Sequence, residues 1–142
     1  MQVPKYLLFI AIAWVMELLT LNSTIKYYNA AGKGFNSMWL FPIFWLVVLT
    51  GEIIYYFINR DKITKHADAR KHCQLMFVAF IMLPVFNLIL KLAAPHLTDA
   101  QFDELLYWYN NIKLYGLTIL IVMAHYFFVR VVRQVYKEPK KQ

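Results

Sequence analysis

A chain of 142 residues that is 61% hydrophobic and only 16% charged carries more apolar surface than one soluble core of that length can hide, since soluble domains run nearer to ~45–50% apolar and ~25% charged. The formal charge of +7 would suit a nucleic-acid binder, but in so apolar a chain basic residues belong beside anionic lipid headgroups. One cysteine, Cys73, excludes an internal disulfide framework and a cysteine-based zinc pattern.

The first apolar run covers residues 5–24, entered through Pro4 and broken only by Glu17. A signal peptide cleaved after Ala11-Ile12-Ala13 would be shorter than the usual ~15–30 residues, so an uncleaved first span is expected. From Asn22 to Ser37 the chain turns polar, with Asn29, Gly32, Gly34 and Asn36 as loop formers.

The second run, residues 38–58, has no charge until Glu52 and is apolar on every face, whereas a soluble amphipathic helix would carry one stripe. Trp39, Trp45, Tyr55 and Tyr56 fall toward its ends, where aromatic side chains form belts at headgroup depth. The connection 59–74 holds Arg60, Lys62, Lys65, Arg70 and Lys71 against Asp61 and Asp68 and reads as a solvated loop. His66, His72 and Asp68 lie within it and are assigned to that solvated charge, not to a metal.

The third run, residues 75–92, contains Pro84, Asn87 and Lys91. A kink is expected at Pro84, which neighbouring helices in a membrane can accommodate. Phe102, Leu105, Leu106 and Tyr109 follow with i, i+3, i+4, i+7 spacing, set against Asp99, Asp103 and Glu104. Thr98 and Gln101 have capping-box spacing. A short amphipathic helix lying on the membrane surface is expected here. The fourth run, residues 112–132, includes Gly116, Thr118 and His125, and precedes a basic tail at 133–142.

The fold class expected is an all-α membrane protein: one domain, a bundle of four transmembrane helices with a short surface helix between the third and fourth. Placing both ends in the cytoplasm puts 11 lysines and arginines inside and 4 outside, the bias that the positive-inside rule requires.

Chemistry in such a chain is confined to the few strongly polar residues within the spans: Glu17, Glu52, Asn87, Lys91 and His125. An ionisable group at mid-membrane costs ~2.5–3.5 kcal/mol on insertion scales and seeks the bundle interior. Counting along each span places Glu17 and Asn87 at one depth, with Lys91 one turn beyond, and Glu52 and His125 at another. Each set is expected to meet. No cofactor or metal motif is present, and Ser37, Thr50 and Cys73 show no nucleophile–histidine–acid arrangement. The function expected is a non-enzymatic interaction or accessory protein, with lipid and itself or another membrane protein as partners and no nucleic acid. The alternative is a small oligomeric channel or transporter for protons, cations or a small solute.

Overall fold

The computed structural model describes residues 4–30, 32, 39–63 and 67–137. All regular structure among them is helical: α1 (Leu7–Ala30), α2 (Leu40–Ile58), the single turn α3 (Arg60–Ile63), α4 (Ala67–Ala93), a 3-10 turn (Ala94–His96) and α5 (Asp99–Lys137). α1, α2, α4 and α5 are each long and apolar enough to cross a membrane.

The spans differ from the expected ones at three ends. α1 runs on through Asn22, Ser23 and Thr24 to Ala30, where a loop was expected. The hydroxyls of Thr20 and Thr24 donate to the carbonyls of Met16 and Thr20, so these polar residues are satisfied inside a helix. No glycine or proline interrupts before Gly32, whose φ of 72° lies in the left-handed region that favours glycine after a helix.

α4 begins at Ala67 rather than near residue 75. Asp68, Ala69, His72, Cys73, Met76, Ala79 and Phe80 are buried along one face, while Arg70, Lys71 and Gln74 point out. The supposed loop is therefore an amphipathic first half of the helix, with its charges turned away from the bundle. His66, residues 33–38 and the tail from 138 onward lie outside the described residues.

The surface helix does not form a separate element. Residues 99–137 make one helix of 39 residues, about 58 Å long at 1.5 Å per residue. Thr98 and Gln101 do form the expected capping box: the Thr98 N–H donates to Gln101 Oε1 (3.0 Å) and the Gln101 N–H to Thr98 Oγ1 (3.3 Å). Beyond it, Asn110-Asn111 contains no proline or glycine, and interrupting a helix near lipid would strand backbone groups. The stripe from Phe102 to Tyr109 is half-buried because it turns toward α4. There Tyr109 donates to Asn87 Oδ1 (2.8 Å) and meets the Phe86 ring edge-on.

α4 packs along both α5 and α1, and α1 also packs along α2. Small buried residues, Ala13, Ala69, Ala79 and Ala124, let helices approach closely, as packing in membranes favours. Phe9 on Phe77, Trp45 on Phe80 and Tyr55 on Phe128 fill the wider gaps with edge-on rings. Trp45 and Tyr56 are thus core residues rather than belt residues. α4 continues as helix on both sides of Pro84.

One end of the bundle gathers the start of α1, the α2–α3 junction, the start of α4 and the end of α5. Tyr6 there donates to the Ile63 carbonyl (3.0 Å), Gln134 to Asp68 Oδ2 (3.0 Å), and Arg130 Nε lies 3.3 Å from the same oxygen.

A buried glutamate between two histidines

Glu52 lies just past the centre of α2, on the side of the clustered ends, and is 5% exposed. α2 brings no basic residue of its own to this depth. The partners come from α4, which presents His72, and α5, which presents His125. His125 Nε2 lies 2.8 Å from Glu52 Oε1, and His72 Nε2 lies 3.3 Å from Glu52 Oε2. The contact expected between Glu52 and His125 is present.

Each imidazole is fixed from behind. His125 Nδ1 is 2.8 Å from the Ile121 carbonyl, which can only accept, so this nitrogen carries a hydrogen. His72 Nδ1 is 2.7 Å from the Tyr56 hydroxyl, one turn along α2 from Glu52. Phe128 closes the group, with its ring centroid 4.9 Å from that of His72 and 5.9 Å from that of Tyr56.

These anchors define the electrostatics. With Nδ1 of His125 protonated, a neutral ring would turn an Nε2 lone pair toward a carboxylate oxygen at 2.8 Å. Two acceptors cannot remain at that distance, so a proton or another cation must lie between them. The other side is open-ended: Glu52 Oε2 and His72 Nε2 are buried with no hydrogen-bond partner, their 3.3 Å approach lacking the angle for one. His72 is fully buried and His125 about a third exposed.

Glu17 is buried at 4% exposure. Asn87 accepts from Tyr109, and both Asn87 and Lys91 are exposed. Between Glu17 and the Glu52 group, the buried positions along the helices are Ala13, Leu49, Met76, Ala79 and Phe80, all apolar.

His72 is the site residue that sequence reasoning missed. Its signal was the spacing 68, 69, 72, 73, 76, 79, 80 of residues able to face inward, a helical stripe crossing the supposed loop boundary. Compared with protein-family models, curated proteins and solved structures, the chain matches none.

Proposed function

We propose that the chain is a multi-pass membrane protein of the interaction or accessory class, acting by intramembrane packing and without enzymatic activity. The observation that carries this reading is that two buried acids, Glu52 and Asp68, meet polar side chains from other helices. Glu52 sits between His72 and His125, and Asp68 between Arg130 and Gln134. These contacts join α2, α4 and α5, while the buried residues between them and Glu17 are apolar. A conduction path through Glu17, Glu52 and His125 would need polar groups or water there.

Broad apolar faces remain for lipid or a membrane-embedded partner, including Phe41, Phe44, Val47 and Phe57 of α2. In the orientation proposed, the clustered ends lie in the cytoplasm, where Arg60, Lys62, Arg70, Arg130 and Arg133 meet anionic headgroups. The start of α5 lies outside.

Two measurements test the reading. Proteoliposomes loaded with a pH-sensitive dye should show no proton or potassium flux above protein-free vesicles. A flux abolished by Glu52→Gln would overturn it in favour of the channel. A photo-crosslinker at Phe44 or Val47 in native membranes should yield a discrete protein adduct, either with a second copy or with one other protein. Adducts with lipid alone would count against a packing function.

A further inference from the structure

We infer that Glu52, His72 and His125 form a binding site for a divalent first-row transition ion, zinc above all, held between α2, α4 and α5. The inference is independent of whether the protein works through a partner.

Three features support it. The first is the donor set: the ligating atoms of the three side chains lie within 4.8 Å of one another, and two imidazoles with one carboxylate suit zinc with a fourth position left open. In a tetrahedral site with bonds of ~2.0–2.1 Å, neighbouring ligand atoms are about 3.3 Å apart. His72 Nε2 already lies at that distance from Glu52 Oε2 (3.3 Å), and His125 Nε2 lies closer to Oε1 (2.8 Å). Small side-chain rotations suffice.

The second is unmet bonding capacity. A proton between His125 and Glu52 serves Oε1 alone and leaves Glu52 Oε2 and His72 Nε2, 3.3 Å apart, buried without a hydrogen bond. One cation among Oε1 or Oε2, His72 Nε2 and His125 Nε2 answers the carboxylate and both rings at once. It also supplies the positive charge that the 2.8 Å contact demands.

The third is the outer set of contacts. A metal-bound histidine turns its other nitrogen to a carbonyl, carboxylate or hydroxyl that fixes the ring and its tautomer. His125 does so with the Ile121 carbonyl and His72 with the Tyr56 hydroxyl, leaving both Nε2 atoms directed at Glu52.

The test uses the full chain purified in detergent, stripped with a chelator, exposed to Zn²⁺ and desalted. About one zinc per chain should remain by elemental analysis, and the melting temperature should rise. Co²⁺ should give the intense visible bands of a four-coordinate nitrogen and oxygen site, without sulfur-to-cobalt charge transfer. Glu52→Gln, His72→Gln and His125→Gln should each retain less than about a tenth of the wild-type metal, and Tyr56→Phe should bind about 10–100-fold more weakly. Asp68→Asn and Cys73→Ser should bind as wild type. Failure of the stripped wild-type chain to retain Mn, Fe, Co, Ni, Cu or Zn, with an unchanged melting temperature, overturns the inference. So does full retention by His72→Gln and His125→Gln. If those variants do not fold, the wild-type Co²⁺ spectrum decides: octahedral, sulfur-ligated or absent bands reject the site.

Discussion

The contact between Glu52 and His125 lends itself to a double-mutant cycle in metal-free protein, kept so by a chelator. The structure makes the two single substitutions unequal. Glu52→Leu removes the 2.8 Å contact and the 3.3 Å approach to His72, but the His125 it leaves keeps its bond to the Ile121 carbonyl. His125→Leu leaves an acid that is 5% exposed, with only the poorly aligned His72 beside it. Hydrogen bonds between membrane helices average ~0.6 kcal/mol and reach ~1.7, while stranding a buried polar group costs ~1–3 kcal/mol. A short, charge-assisted contact belongs at the upper end of the first range. Glu52→Leu should therefore destabilise by about 1–2 kcal/mol and His125→Leu by about 2–3 kcal/mol. The double variant should be less destabilised than their sum by about 1–1.7 kcal/mol. Reversible unfolding by SDS in mixed micelles provides the assay, followed by the fluorescence of Trp45, whose ring lies 6.2 Å from that of His125. A coupling energy below about 0.3 kcal/mol, the limit at which independent sites add, would show that the two side chains do not stabilise each other.

Further substitutions probe the remaining contacts. Asp68→Ala should destabilise by about 1 kcal/mol, with Asp68→Asn recovering most of it, because the part-buried hydrogen bond to Gln134 outweighs a half-exposed Arg130 pair; equal losses would refute that ranking. Ala79→Leu, at a position with no exposed surface, should cost about 1–3 kcal/mol by overpacking, whereas Val47→Leu on the exposed face of α2 should be neutral in the same unfolding assay. Cys73 is fully buried, so maleimide should leave it unmodified in the folded protein and react after SDS unfolding; rapid labelling of the native state would displace α4 from its described position. For orientation, a cysteine replacing exposed Asp61 should resist an impermeant reagent added to intact cells, while one replacing exposed Glu104 should react; the opposite pattern would invert the topology.

What the sequence made legible was decided by the kind of signal each element carries. α2 is uncharged and apolar over most of its length, and its observed limits nearly coincide with those read from the sequence. Hydropathy sees such a segment directly. It fails at the start of α4, where Arg70 and Lys71 mask the apolar face. A helix entering a membrane can keep cations at headgroup depth on one side while Asp68, Ala69, His72 and Cys73 turn inward on the other. Averaged polarity then reports a loop where the periodic pattern reports a core. The stripe ending at Tyr109 shows the complementary difficulty. Its periodicity identified the correct face, but an apolar face can meet lipid or another helix, and only the fold assigns it to α4. The Glu52–His125 contact was accessible from depth alone because both residues interrupt otherwise apolar spans. His72 was not, since it had been assigned to the wrong side of a helix boundary.

Two of the buried acids, Glu17 and Glu52, separate what the bundle stabilises from what it merely encloses. Glu17 and Glu52 have nearly equal exposure, 4% and 5%, and each comes from the inward face of its helix. Glu52 meets two histidines from two other helices, whose far nitrogens are held by a carbonyl and a tyrosine hydroxyl. Glu17 makes no side-chain hydrogen bond or ion pair with another helix among the described residues. Burial alone therefore does not distinguish a polar site from a tolerated polar residue; convergence of partners from separate helices does. That convergence lies at the same end as the Tyr6–Ile63 and Asp68–Gln134 bonds. Toward the other end, the contacts across the core become mainly apolar. Directional contacts are denser at the Glu52 end, while elsewhere Trp14 donates to Thr50 between α1 and α2 and Tyr109 to Asn87 between α5 and α4. A ligand or partner that stabilises the Glu52 group would thus act on the part of the bundle that already determines how α2, α4 and α5 are arranged, and its effect would reach the apolar faces through those helices as rigid bodies.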